Sequence, residues 1–353
     1  MLGFVGLGSV VESAWLPALS RLAAPRLRLL GVDSDPARTL PGVEPVSSLA
    51  AMLSQPLQGL LVTTNSAAHW SVLQQALDSE VAQIIVEKPV VATLAEAAAL
   101  AQQLADPALA GRVLALDHWT ARVEGLQTLL GGLPGGSPLH GIHDILRIDG
   151  YVRERSGCNE QGEPCALNFA TGEPDRRQLR HPDGVVLDTG THVLAMLREW
   201  MVANGLPCGL SLHLRAMTDR LGQTIPVGDV ATAEGRAELA GTIGGVPLTL
   251  HLDKYAGPDG GRKGLVVTGH SGWQLSLDRK GNSDLLLFEH QGQRHELQRP
   301  GALYDYCLAA CLPDCQPGIE TLGRAVRQAM TRRRLEEVTL LLELQQAWRN
   351  PIS

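Results

Sequence analysis

Two side chains able to exchange a proton, Asp188 and His192, stand four residues apart in the segment Gly184-Val185-Val186-Leu187-Asp188-Thr189-Gly190-Thr191-His192. If that segment is helical, the spacing sets a carboxylate and an imidazole on one face, where both can meet one substrate. Imidazole titrates near neutrality and can serve as a general base, while a carboxylate beside it orients the ring or the ligand. Far upstream, Glu87-Lys88-Pro89 closes the apolar run Val81–Val86. A lysine held at a strand end by proline can stabilise negative charge growing on an oxygen. Taken singly, each feature is common: a Glu-Lys-Pro after a strand reads as a solvated turn, and an Asp/His pair as a surface pair.

A third feature sits at the amino end. Leu2–Val5 reads as a short apolar strand ending in Gly6-Leu7-Gly8, and Val10–Leu19 continues with a helical apolar pattern. Strand, glycine turn and helix together let a backbone approach a pyrophosphate, with free N–H groups and positive dipole at the helix start. Gly6, Gly8, Ser9 and Val10 are therefore candidate phosphate contacts, although Val11 stands where a third small residue is usual. The next strand, Leu27–Val32, ends at Asp33-Ser34, which suits hydrogen bonding to ribose hydroxyls. The Asp33 charge would repel a 2′-phosphate, favouring NAD over NADP, with Arg38 able to offset that preference. Asp33 can alternatively cap the following helix.

Further apolar runs, Gln58–Thr63 and Val81–Val86, alternate with a helical pattern over about Ala67–Leu77. Alternation of this kind predicts a parallel sheet with right-handed crossovers, whose ligands bind at the strands' carboxyl ends. Gly8, Asp33, Asn65 and Lys88 all fall there, and that coincidence weighs more than any one of them.

Glu87-Lys88-Pro89, followed by Gly184 to His192, resembles the Gfo/Idh/MocA family, named for glucose-fructose oxidoreductase and inositol dehydrogenase. Thr64-Asn65-Ser66-Ala67-Ala68-His69 is similar to that family's Thr-Pro-Asn-x-x-His turn, with Asn65 in place of the proline and Ser66 in place of the asparagine. The resemblance implies an α/β protein: a Rossmann dinucleotide-binding domain over residues 1–118, then an α+β domain over 119–353 with a large, mostly antiparallel open sheet and closing helices. It implies cofactor contacts from Thr63, Thr64, Asn65, His69, Glu87 and Lys88 besides the glycine turn, and a catalytic group of Lys88, Asp188 and His192. In that scheme His192 takes a hydroxyl proton, Asp188 orients substrate and imidazole, and Lys88 stabilises the reacting oxygen. The implied activity is hydride transfer between NAD or NADP and a carbinol carbon of a sugar, sugar derivative or cyclitol, with no metal. Two alternatives stand beside it: a glycoside-processing enzyme using transient oxidation and elimination, and a non-catalytic nucleotide-sensing regulator.

Asp117-His118-Trp119 is similar to the Asp-His-Tyr segment of glucose-6-phosphate dehydrogenases, which makes His118 a candidate substrate contact. Its other reading is a bond between Asp117 and His118 that stabilises the junction. Arg153–Asp183 is polar and rich in Gly and Pro, too long for a plain turn, and reads as a lid or insertion. Its Arg176, Arg177, Arg180 and His181 could bind a substrate anion, although exposed arginines are common. Alternating patterns over Leu139–Tyr151, Cys208–Thr218, Val230–Asp253 and Lys263–Leu297 predict antiparallel strands, and Ala302–Leu312 and Glu320–Trp348 predict helices. Lys254 and Tyr255, at a strand end, could reach the substrate but are not assigned to the site.

Composition narrows the classes. At 353 residues, two domains with a ligand cleft are expected. Hydrophobic residues make up 44% and charged ones 19%, enough for a sizeable core, and the net charge of −7 argues against a nucleic-acid partner. The opening residues lack a basic start, and Glu12 interrupts them, so they read as strand and helix rather than as a secretory leader. No apolar run is long enough to span a membrane. Six cysteines without C-x-x-C pairs read as reduced thiols, Cys307, Cys311 and Cys315 included. The expected setting is cytoplasmic, with a small-molecule partner, an anionic sugar among the options, and a homodimer or homotetramer.

Overall fold

A computed structural model describes residues 1–22, 27–167, 172–174, 180–258, 260–311 and 322–350. They form two compact units, one of Met1–His118 with Ala302–Thr339 and one of Trp119–Gly301 with the chain from Leu340.

The first unit is a six-stranded, wholly parallel sheet. Its elements are β1 (Leu2–Val5), α1 (Leu16–Arg21), β2 (Leu29–Val32), β3 (Glu44–Pro45), α2 (Leu49–Leu53), β4 (Gly59–Val62), α3 (Ser66–Leu77), β5 (Ile84–Val86), α4 (Leu94–Gln103), α5 (Pro107–Ala110) and β6 (Val113–Ala115). The strand order is β3-β2-β1-β4-β5-β6, the doubly wound arrangement that puts a switch point between β1 and β4. All residues of β1, β4, β5 and β6 are buried, as apolar strands covered on both faces must be. The expected helix from Val10 begins as a π-helical turn, Val11–Trp15, before α1 takes over. The strand expected from Leu27 begins at Leu29, and the one expected from Val81 begins at Ile84. Edge strand β6 is closed by the Thr331 hydroxyl, which accepts from Ala115 N at 3.0 Å and donates to Val113 O at 2.9 Å. Such bonding satisfies backbone groups that an open edge would leave unpaired.

The second unit contains α6 (Val123–Gly131), β7 (Ile145–Arg153), the hairpin strands β8 (Ser156–Cys158) and β9 (Pro164–Ala166), and the long helix α7 (Val185–Ala203). It continues with β10 (Leu210–Thr218), β11 (Arg236–Ile243), β12 (Val246–Asp253), β13 (Arg262–Gly269), β14 (Gln274–Lys280), β15 (Ser283–His290) and β16 (Gln293–Pro300). Eight of these strands pair in the order β10-β11-β12-β7-β13-β14-β15-β16. Every neighbouring pair is antiparallel except β12 with β7, which run parallel. Helices α8 (Leu303–Cys311) and α9 (Arg324–Arg349) follow, α9 counting with the first unit to Thr339 and with the second from Leu340. Part of the expected insertion is thus the β8–β9 hairpin. Arg176 and Arg177 lie outside the described residues, as does Cys315, while Cys307 and Cys311 are buried.

One sheet face is apolar: Ile148 and Val152 of β7, Leu248, Leu250 and Leu252 of β12, Leu265 and Val267 of β13, and Leu275 and Leu277 of β14 are all buried. Helix α7, itself almost wholly buried, packs against β7, β11 and β12. The approach is close because Gly150 has no side chain: a Cβ there would lie 2.5 Å from Val193 Cγ1. That contact seats the helix carrying Asp188 and His192. Among the described residues, no helix is long and apolar enough to cross a membrane.

Candidate functional site

The glycine turn of the first unit is built by its own strands. Gly6 has φ of 92°, a left-handed conformation that glycine alone adopts freely, and a Cβ there would lie 2.7 Å from Thr64 Cα. The Thr63 hydroxyl donates to Gly6 O at 2.7 Å and Val5 O at 3.0 Å, locking the turn. Gly8 is different: a Cβ placed on it would meet nothing within 4 Å. Open space against the turn's backbone is what a pyrophosphate needs, so these residues fit a dinucleotide. Ser9 and Val10 are half-exposed beside Gly8.

Asp33 stands at the carboxyl end of β2. Its Oδ2 accepts from Leu7 N at 2.6 Å and its Oδ1 from Asp35 N at 2.9 Å, with the Ser34 hydroxyl also near at 3.3 Å. Burial pushes this carboxyl up, but those donors and the Arg38 charge outweigh it and hold it below the ordinary range. Arg38 itself donates to Leu7 O at 2.9 Å and pairs with Glu12 at 2.7 Å, so its charge is already matched.

The turn after β4 is set by Asn65, whose side chain caps α3 by accepting from Ala68 N at 3.1 Å. Beside it, the Thr64 hydroxyl donates to Asn65 O at 3.2 Å. His69 is buried; its Nδ1 lies 2.6 Å from Pro89 O and its Nε2 3.1 Å from Thr64 O. The ring therefore ties the Thr64 turn to the turn that carries Lys88.

Glu87 also has an inward role that the sequence did not reveal. Its carboxylate is buried, accepts from Trp15 Nε1 at 2.9 Å and is hydrogen-bonded to Tyr304. Desolvation raises its pKa against the opposing effects of Trp15, Tyr304 and Lys88. Trp15 meets Tyr304 edge to face at 5.2 Å, and His118 stacks on Tyr304 with ring centroids 5.0 Å apart. Lys88 follows at the strand end, half-exposed, so Glu87 fixes the backbone from which the lysine projects.

In the second unit, Asp188 and His192 share one face of α7, as the spacing predicts. The His192 imidazole is buried and stacks on Trp119, with centroids 5.3 Å apart and planes 9° from parallel. Arg122 lies over the Trp119 ring, its guanidinium carbon 4.5 Å from the centroid. That arginine is buried, pairs with Asp284 at 2.9 Å and donates to Lys263 O at 2.8 Å. Asp188 accepts from Lys254 Nζ. Lys263 pairs with Glu154 at 2.8 Å. Arg180 is exposed and forms a β-bridge with Thr232; His181 Nδ1 lies 3.8 Å from buried Glu234. Trp119, Arg122 and Lys254 were missed from the sequence as site residues. For Lys254 a signal was present: Leu248, Leu250, Leu252 and Lys254 alternate, so the lysine continues the buried face of β12 and must find a partner there.

Residues 2–110 match the model of the Gfo/Idh/MocA oxidoreductase family, NAD-binding Rossmann fold. No curated protein matches the chain in sequence. Among solved structures, the YPO2259 protein of Yersinia pestis aligns with a TM-score of 0.65 at 19% identity, covering 100% of this chain and 97% of that one. UDP-N-acetylglucosamine 3-dehydrogenase GnnA from Acidithiobacillus ferrooxidans aligns with a TM-score of 0.62 at 16% identity, covering 98% of both chains. KijD10, a 3-ketoreductase from Actinomadura kijaniata in complex with NADP and TDP-benzene, aligns with a TM-score of 0.61 at 15% identity, covering 99% of this chain and 98% of that one. At these identities the likeness is one of fold, and it extends over both units.

Proposed function

We propose that the chain is an NAD(P)-dependent oxidoreductase acting on a carbinol carbon of a sugar, sugar derivative or cyclitol, with Lys88, Asp188 and His192 as its catalytic group. The observation that carries this reading is the α7 face, where a carboxylate and a stacked imidazole are presented together, in a chain whose other unit holds an open glycine turn with Asp33 bonded to its Leu7 amide. The UDP-N-acetylglucosamine 3-dehydrogenase activity named for GnnA supports the substrate class, and the 3-ketoreductase activity named for KijD10 supports carbinol–ketone chemistry. Asp33, with Arg38 already matched by Glu12, favours NAD over NADP.

His192 accepts the substrate hydroxyl proton on an imidazole nitrogen, its ring plane fixed by Trp119. The Asp188 carboxylate accepts a hydrogen bond from a neighbouring hydroxyl and so orients the ring of the substrate. Lys88 donates to the reacting oxygen and stabilises its alkoxide character. A nicotinamide dinucleotide, which the Gly6–Gly8 turn and Asp33 would hold, would supply the hydride chemistry. His118 and Arg180 are further candidate substrate contacts, and a homo-oligomer in the cytoplasm is the setting this reading assumes.

The test is a panel of sugars, sugar phosphates, uronates and cyclitols with NAD or NADP, followed by absorbance of the reduced nicotinamide. Turnover with at least one member is expected, reduced at least about a hundredfold in Lys88→Ala, as befits loss of an oxyanion donor. Absence of reduced cofactor with every member, in protein shown to bind the dinucleotide, overturns the dehydrogenase reading.

A further inference from the structure

Strands β7 and β12 run side by side in parallel, Val152 opposite Leu252 and Arg153 opposite Asp253. Side chains of a strand alternate between faces, so Glu154 continues the buried face of Ile148, Gly150 and Val152, and Lys254 that of Leu248, Leu250 and Leu252. Because the two strands point the same way, these charged residues reach the same end of the sheet together. The backbone there is fixed: Glu154 N donates to Asp253 O at 2.8 Å and Lys254 N to Gly235 O at 3.0 Å. Helix α7 lies over this face and brings Asp188 to Lys254. Four charges then alternate as Asp188, Lys254, Glu154 and Lys263, two of each sign.

We propose that Lys254 is a positioning residue of the site: its ammonium pairs with the Asp188 carboxylate, keeps that group an acceptor rather than an acid, and leaves proton exchange to His192. This rests on the dehydrogenase reading for its consequence, though not for the pairing. The Lys254 side chain is only 13% exposed against 27% for Asp188, so the cation lies behind the carboxylate. Burial opposes its charge, but Asp188 and then Glu154 outweigh burial and hold the ammonium well above its ordinary range. Burial likewise opposes the Glu154 charge, and Lys263 and Lys254 bring that carboxyl below its usual range. Other charged groups near the end of the sheet are committed elsewhere: Arg236 of β11 to Asp253 at 3.2 Å and to Tyr255 O, and His251 of β12 to Glu238 at 3.8 Å. Removing the ammonium would take away the cation that Asp188 and Glu154 share, and a carboxylate that loses an opposite charge beside a like one takes up a proton at higher pH.

The experiment labels the aspartate γ-carbons with ¹³C and follows their NMR titration in wild type, Lys254→Met and Lys254→Arg, with Asp188→Asn to assign the resonance. An opposite charge at this range moves a carboxyl by about 1–3 pH units. The Asp188 resonance should therefore titrate at least about one unit higher in Lys254→Met, and return toward wild type in Lys254→Arg. In the carbinol assay the acid limb of kcat/KM should move up with it, and kcat should fall at least about tenfold, while NADH affinity stays unchanged. An Asp188 resonance that does not move in a folded Lys254→Met protein overturns the proposal even where turnover is present. A resonance that moves, in a chain that turns over no carbinol, upholds the pairing and sinks the dehydrogenase reading instead.

Discussion

Burial of Glu87 predicts a stability that declines as pH rises, opposite to the usual behaviour of a paired carboxylate. In the unfolded chain this group titrates near 4.5, and in the folded chain desolvation raises it. The folded state therefore holds the Glu87 proton more tightly. Below about pH 4.5 both states are protonated and the group contributes in full; above that value each further pH unit costs the folded state about 1.4 kcal/mol, until the folded carboxyl itself ionises. Glu87→Gln removes the charge while its amide oxygen still accepts from Trp15 Nε1 and its amide can bond Tyr304. The variant should match or trail wild type at pH 5 and gain on it toward pH 8, by about 2–4 °C in unfolding temperature for each kcal/mol in a unit of this size. Thermal unfolding of both proteins between pH 5 and 8 checks this, since other titrating groups cancel in the difference. Trp15→Phe supplies a second arm. It deletes the donor to the carboxylate and should cost about 1.5–3 kcal/mol where Glu87 is ionised, and less where it is protonated. A difference between Glu87→Gln and wild type that stays flat with pH, or shrinks as pH rises, would refute the argument that desolvation outweighs the Trp15, Tyr304 and Lys88 contributions.

The two glycines of the turn should separate fold from ligand. Gly6→Ala, strained at φ of 92° and crowded by Thr64, should lose about 1–3 kcal/mol in denaturant unfolding. Gly8→Ala, which meets nothing within 4 Å, should unfold within about 0.5 kcal/mol of wild type, yet bind NADH at least about tenfold more weakly by fluorescence titration. Asp33→Ser should move cofactor preference toward NADP by about 1.5–3 kcal/mol, or roughly 10- to 100-fold in the ratio of kcat/KM values. Unchanged preference would mean that the carboxylate serves only the Leu7 amide. Trp119→Leu should reduce kcat by about 2- to 10-fold, in line with an aromatic pair worth about 0.5–1.5 kcal/mol, without altering NADH affinity.

What the sequence disclosed, and what it hid, divides along the range of the interactions. Runs such as Leu2–Val5 and Gly59–Val62 announce themselves because a parallel strand covered on both faces must be apolar throughout. Asp188 and His192 were legible together because helical periodicity is local. The π-helical turn at Val11–Trp15 was not, since one extra residue in a turn leaves no mark in an apolar pattern already interrupted by Glu12. The family resemblance gives Glu87 and His69 as cofactor contacts and discloses nothing of their packing partners. Those packing partners lie elsewhere in the chain: Trp15 is 72 residues from Glu87, and Pro89 is 20 from His69. Lys254 is the sharper case. Its partner on α7 is 66 residues away, and the parallel pairing of β7 with β12 that brings Glu154 alongside cannot be read from alternation, which is the same for either strand direction. Yet alternation alone places Lys254 on the buried face, and an inward lysine is stable only beside an anion. Alternation thus calls for a carboxylate at that point, and Asp188 supplies it. Polar residues in apolar register are, for that reason, the positions from which a site of this kind is best sought.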